Sequence, residues 1–189
     1  VTGPAADLDA VFLDRDGTIN RKPAAGDYVK SPAELSLLPG AAAGIALLNR
    51  LQRPVIVVTN QRGVALGRMS EGDLEEIHAA LKAELAEEGA RIDAIQHCPH
   101  AESVCDCRKP ATGMFTAAQE QFPEIRFERS LIVGDSWRDM KAGHTLGMTR
   151  VLIADGSADA EDADLVVPSL LEAARWATGP RTRATAEGR

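Results

Sequence analysis

Aromatic residues are scarce: four Phe, two Trp and one Tyr make up 4% of the 189 positions. A core must therefore be built from Val, Leu, Ile and Ala, drawn from the 44% of residues that are apolar. Positive charge is not in surplus. Lys and Arg number 21 against 28 Asp and Glu, a net charge of -7. Chains that grip nucleic acid through phosphates, or dock on anionic lipid, need the opposite balance. No nucleic-acid partner and no membrane partner is expected. No apolar run approaches the roughly 20 residues that span a bilayer. The N-terminal VTGPAADLDA lacks the basic and apolar regions of a signal peptide, so a cytoplasmic location is expected. Cysteine is rare as well, with only Cys98, Cys105 and Cys107 present. An odd count confined to one short stretch is a poor disulfide framework and favours a metal site.

Short apolar runs alternate with helical periodicity. Ala10 to Asp14, Val55 to Val58, Ile92 to Gln96, Leu131 to Gly134, Thr149 to Ile153 and Leu165 to Val167 read as strands. Ala41 to Arg50, Ser70 to Glu88, Thr112 to Phe122, Arg138 to Leu146 and Leu170 to Trp176 read as helices. The second is the best marked. Ser70 is its N-cap with Asp73 three residues on, Leu74, Ile77, Leu81 and Leu85 form its stripe, and Gly89 ends it. Strands alternating with helices predict an α/β fold, a mainly parallel sheet covered on both faces. Residues 1–178 read as a single domain, with no segment long enough for a separate cap. The tail 179–189 is nearly free of apolar residues and is expected to be disordered. Without a long apolar patch or heptad run, a monomer is expected.

Open parallel sheets bind ligands beyond the carboxyl ends of their strands. Four polar clusters fall there. In Asp14-Arg15-Asp16-Gly17-Thr18, two carboxylates two residues apart point to one side of an extended chain and repel unless a cation or proton lies between them. One can attack phosphorus, and the other can protonate the leaving oxygen and later activate water. In Thr59-Asn60-Gln61, a hydroxyl, an amide and turn N–H groups can hold phosphate oxygens. Arg108-Lys109 supplies the cations that phosphoryl transfer needs. Asp135 in Gly134-Asp135-Ser136 can bind Mg2+, with Asp139 one helical turn away in support. Each cluster alone is an ordinary strand exit or solvated pair. Their order and common placement are not.

The set D-x-D-G-T, T-N-Q, K-P and G-D-S-x-x-D resembles the haloacid dehalogenase (HAD) superfamily of phosphohydrolases, over roughly Val11 to Leu152. The resemblance implies a Rossmann-like core, with Asp14 as nucleophile and Asp16 as acid–base residue. It implies Mg2+ held by Asp14, Asp135 and the main-chain carbonyl of Asp16. Thr59 and Lys109 would stabilise the phosphoryl oxygens.

Cys98, Cys105 and Cys107 with one imidazole complete a tetrahedral Zn2+ set with no open position, so this zinc would be structural. His97 and His100 both compete for the fourth place. The pattern C-P-H followed by C-D-C-R-K-P is similar to two groups within the superfamily, the heptose 1,7-bisphosphate 7-phosphatases and the histidinol phosphatases, and selects His100. The run from Asp14 to Asn20, Tyr28-Val29, and Thr59 to Gln61 followed by Gly63 and Gly67 resemble the heptose group more. That likeness implies a sugar bisphosphate substrate within nucleotide-activated heptose synthesis. Its pocket would be lined by Asn20, Lys22, Thr59, Asn60, Gln61, Arg62, Arg108, Lys109 and Ser136. The short loop between His100 and Cys105 is closer to the histidinol group, which stays as the rival. A catalytically dead zinc-binding adaptor is the rival of another class.

Overall fold

The computed structural model describes residues 8–154 and 162–179. Six strands form one parallel sheet: β1 (Ala10–Leu13), β2 (Val55–Asn60), β3 (Ala94–Cys98), β4 (Ser130–Gly134), β5 (Thr149–Ile153) and β6 (Leu165–Val167). Their order is β3-β2-β1-β4-β5-β6, with crossings between them carried by α1 (Ala41–Asn49), α2 (Glu71–Glu87), α3 (Gly113–Gln121) and α4 (Trp137–Thr145). The last helix, α5 (Leu170–Thr178), follows the edge strand. The order reverses direction at β1, so β1 and β4 flank the switch point where such sheets open a crevice.

The strands bury both faces, which is why their sequences read as unbroken apolar runs. The period of two is hidden inside them. Val11, Leu13, Val55, Val57, Leu131 and Val133 face Ile45, Leu48, Leu81 and Ala173. Phe12, Ile56, Val58 and Ile132 face Met114, Phe115 and Ala142. The Phe12 and Phe115 rings lie 5.2 Å apart, which uses half of the chain's phenylalanines in one contact. Helices α1 and α5 cross closely enough that a Cβ on Gly44 would come within 3.1 Å of the Leu170 backbone.

The Ser70–Asp73 capping box forms as expected: the Asp73 N–H donates to Ser70 Oγ (3.1 Å), and the Ser70 N–H to Asp73 Oδ2 (2.7 Å). Gly89 follows the helix at φ 73°, the left-handed conformation that glycine adopts most readily. Boundaries shift by one or two residues from the sequence reading, and those of β2 and β3 shift for a shared reason. Strand β2 continues through Thr59 and Asn60, because these pair with His97 and Cys98. Strand β3 accordingly starts at Ala94 rather than Ile92 and ends on Cys98. Short 3-10 turns at Pro32–Glu34 and Phe127–Arg129 were not foreseen; each is too short for any periodicity to mark it. The expected disordered tail lies, from residue 180 on, outside the described residues. No described helix is long and apolar enough to cross a membrane.

Candidate active site

The sheet delivers its polar residues to one rim. Asp14 leaves β1 with its N–H still donating to the Val133 carbonyl of β4 (2.9 Å), which places it level with Gly134-Asp135. Gly17 then turns the chain back at φ 95°. A Cβ there would lie 2.1 Å from Asp135 Oδ2, so only glycine lets the two loops close.

Lys109 lies across the gap, 3% exposed. Its ammonium donates to Asp14 Oδ1 (2.8 Å), Asp139 Oδ1 (2.6 Å) and the Val58 carbonyl (2.6 Å), which uses all three of its protons. Burial alone would lower its pKa, but the Asp139 and Asp14 carboxylates outweigh burial and hold it above the ordinary lysine value. Burial drives Asp14 the other way, well above the usual carboxylate range, against the pull of Lys109. Asp135 is raised too, chiefly by burial, with Lys22 opposing. The Lys109 backbone is fixed as well. Its N–H donates to Asn60 Oδ1 and its carbonyl accepts from Asn60 Nδ2, both at 3.0 Å. Asn60 therefore anchors the lysine.

Asp14, Asp135 and Asp139 offer carboxylate oxygens that all lie within 4.8 Å of one another. Three carboxylates against one buried ammonium leave two negative charges without a buried counter-charge. Asp135 Oδ1 is buried with no hydrogen-bond partner, while its Oδ2 takes the half-exposed Lys22 ammonium at 2.6 Å. An oxygen-only, doubly negative set with an orphaned oxygen fits a hard divalent cation. Asp139 is itself held from outside by the Ser136 hydroxyl (2.6 Å) and N–H (3.2 Å) at the start of α4.

Asp16 sits at the side of this group, 21% exposed at its side chain. Its carboxylate accepts from the Arg15 guanidinium (3.0 to 3.3 Å), Asn20 Nδ2 (2.9 Å) and Gln61 Nε2 (2.8 Å). Arg15 is wholly buried and rests its Nη1 against His78 Nε2 at 3.2 Å.

A cavity of about 210 Å3 opens over these groups, lined by Asp14, Asp16, the 22–28 loop, Thr59, Asn60, Arg108, Lys109, Asp135, Ser136 and Arg138. The structure thus gathers Lys22, Thr59, Asn60, Arg108, Lys109 and Ser136 from the expected pocket. It does not place Asn20, Gln61 or Arg62 on its wall. Asn20 and Gln61 are buried, with their amides on Asp16. Arg62 is turned to Glu102 (3.0 Å) on the cysteine loop. Sequence reasoning missed Arg138 and the structural weight of Arg15. A cation in the first turn of α4 runs against the helix dipole, which is a signal for Arg138. Nothing in the sequence marks Arg15 beyond its place between two aspartates.

Beside this rim, Cys98, His100, Cys105 and Cys107 converge, with one potential ligand atom from each within 4.8 Å of the others. Neighbouring ligand atoms lie 3.2 to 3.8 Å apart. Tetrahedral Zn2+ with bonds near 2.3 Å requires about 3.8 Å between sulfurs, so the closed set fits with small adjustments. His97 is directed elsewhere, to Glu71 (3.2 Å) and the His78 ring. The cluster begins at the end of β3 and directly precedes Arg108 and Lys109, so a metal held there would tie down the loop that carries both.

A six-stranded parallel α/β sheet with clustered carboxylates and a buried lysine at its carboxyl rim is the arrangement of a HAD-like hydrolase. Residues 106–173 match the HAD-hydrolase-like family. The D-glycero-alpha-D-manno-heptose-1,7-bisphosphate 7-phosphatase of Mycobacterium tuberculosis is 42% identical over 137 residues, 72% of each chain. The D-glycero-beta-D-manno-heptose-1,7-bisphosphate 7-phosphatase of Rhodopseudomonas palustris is 36% identical over 179 residues, 90% of this chain and 94% of its own. The crystal structure of D,D-heptose 1,7-bisphosphate phosphatase from B. bronchiseptica, complexed with magnesium and phosphate, matches with a TM-score of 0.78 at 33% identity. That match covers 89% of this chain and 97% of the other. The chain belongs to the heptose-1,7-bisphosphate 7-phosphatase family of HAD-like hydrolases.

Proposed function

We propose that this protein is a phosphatase that removes the 7-phosphate of a D-glycero-D-manno-heptose 1,7-bisphosphate, acting as a cytoplasmic monomer in nucleotide-activated heptose synthesis. The observation that carries this reading is the buried Lys109 joining Asp14 to Asp139 beside Asp135, in a chain whose relatives bear that activity.

Lys109 holds Asp14 Oδ1, which leaves Oδ2 to attack phosphorus in line with the leaving sugar oxygen. As the phosphorus–oxygen bond to the sugar breaks, Asp16 gives its proton to that oxygen. An aspartyl phosphate remains on Asp14. Asp16, now a carboxylate, takes a proton from water as the water attacks phosphorus, and inorganic phosphate leaves with Asp14 restored. The Lys109 charge and the Thr59 hydroxyl would stabilise the oxygens of the transferring group. A Mg2+ held by Asp14, Asp135 and the Asp16 carbonyl would, when bound, supply the positive charge that draws phosphoryl oxygens to this rim. A Zn2+ on Cys98, His100, Cys105 and Cys107 would have a structural role. Lys22, Arg108 and Arg138 line the cavity, where they suit the second phosphate of a bisphosphate. At about 210 Å3 the cavity has room for the phosphoryl group and the near part of a sugar, the rest extending outward.

No relative named above is a histidinol phosphatase, and that reading is dropped. An adaptor role has no support, since all four groups that the chemistry needs are present and assembled. Turnover on heptose 1,7-bisphosphate and on histidinol phosphate tests the assignment. Faster release of phosphate from the heptose substrate is expected, and faster release from histidinol phosphate would overturn it.

A further inference from the structure

Asp16 stands on a short loop at the exit of β1, at the edge of an open cavity, where a carboxylate would normally sample several rotamers. Here three residues from two stretches of chain hold it. Arg15 spans both oxygens from below, Asn20 Nδ2 donates to Oδ1 and Gln61 Nε2 to Oδ2. The three are 0%, 0% and 1% exposed, so none can reach a ligand in the cavity without the loop opening. Each is fixed in turn. The Asn20 carbonyl accepts from the Gly17 N–H (2.8 Å), the Gln61 N–H donates to the Cys98 carbonyl (2.7 Å), and Arg15 leans on His78.

Both amides point their NH2 groups at Asp16 and leave Asn20 Oδ1 and Gln61 Oε1 buried without a partner. An orphaned buried oxygen destabilises a fold, and two of them around one carboxylate call for an explanation beyond packing. Gln61 Nε2 also donates to Thr59 Oγ1 (2.8 Å), so it sets the spacing between Asp16 and the strand end that faces the phosphoryl group.

We infer that Arg15, Asn20 and Gln61 form a positioning clamp that fixes the Asp16 carboxylate at its working angle, and that Gln61 acts through Asp16 without touching substrate. This rests on the reading of Asp16 as the acid–base residue. The chemistry explains the need. One carboxylate must reach the leaving oxygen in the first step and a water in the second, within hydrogen-bond distance each time. A displacement of about 1 Å is enough to cost two orders of magnitude in rate.

Gln61→Met keeps the length of the side chain and removes its donors. The clamp predicts that kcat on heptose 1,7-bisphosphate falls about 100-fold. It predicts that affinity for inorganic phosphate, titrated by calorimetry with Mg2+ present, stays within about twofold. Weakening of phosphate affinity in step with kcat/KM would make Gln61 a substrate contact, and an unchanged kcat would make the clamp idle; either result overturns the inference. If Gln61→Met does not fold by circular dichroism, Gln61→Asn, which keeps the amide but withdraws it by one methylene, answers the same question on the same two readouts. Asp16→Ala is measured alongside. Full turnover in that variant would instead remove the acid–base reading on which the clamp depends.

Discussion

Lys109 Nζ stands 2.6 Å from Asp139 Oδ1, at the first turn of α4, while the same nitrogen reaches Asp14 at the end of β1. One ammonium thus joins two elements that lie on either side of the switch point. Lys109→Met, which fills the space without the charge, leaves Asp14 and Asp139 facing each other unpaired. A loss of about 3–5 kcal/mol in folding stability is expected from the stranded charges. Activity should fall at least ~100-fold with the lost stabilisation of transferring charge. Chemical denaturation and steady-state rates check both. A variant as stable and as fast as the parent would contradict the bridge.

Gly17 is the hinge that lets the loop after β1 close against Asp135. Gly17→Ala must take a left-handed φ of 95° and set its Cβ 2.1 Å from Asp135 Oδ2. The backbone strain alone costs about 1–3 kcal/mol, and relief of the clash moves Asp135. Lower thermal stability together with weakened Mg2+ affinity, followed by calorimetry, is the expected pair of effects. Reduced stability with unchanged Mg2+ affinity would separate the hinge from the metal site.

The cysteine cluster carries its own test. Metal analysis of the purified chain should find about one zinc per molecule. Its removal by a chelator, or Cys107→Ser, should lower the melting temperature by about 5 °C or more and slow turnover, because the loop that holds Lys109 loses its tie. A zinc-free chain with full stability and rate would remove the structural role.

His78 gives the fold a pH dependence of defined sign. Burial, aided by the Arg15 charge, holds its pKa down to about 3. The unfolded chain therefore takes up a proton near the ordinary value of about 6.5, where the folded chain does not. The stabilisation is complete above about pH 6.5 and is lost as pH falls toward 3, at a slope of up to about 1.4 kcal/mol per pH unit. Denaturation midpoints of the parent and His78→Gln, measured from about pH 7 to about pH 5, should converge as acid is added. Parallel curves would show that His78 is not the buried neutral group described.

The fold was largely legible because its strands are short, apolar and bounded by turn residues, and because its helices carry caps such as Ser70 with Asp73. The boundary of β3 slipped by two residues, since pairing with β2 and not local composition decides where it starts. The clustered carboxylates Asp14, Asp135 and Asp139 could be read from their places at strand and helix ends. Asn20 and Gln61 could not be assigned correctly in this way. Their burial depends on how the 15–38 loop folds over the sheet, and an amide near a phosphate motif reads as a ligand until its partner is seen. Arg15 was hidden for a similar reason. Alternation along an extended chain directs its side chain away from those of Asp14 and Asp16, so its hydrogen bonds to the Asp16 carboxylate are seen only in the folded loop.

The proposed chemistry requires a phosphoryl group to pass through Asp14, the residue directly after β1. The direct measurement is mass mapping of peptides from enzyme quenched in acid during turnover of heptose 1,7-bisphosphate. Phosphate carried on Asp14 as an acyl phosphate is expected in the parent and absent in Asp14→Asn, which should turn over no substrate. Steady phosphate release by the Asp14→Asn protein would contradict it.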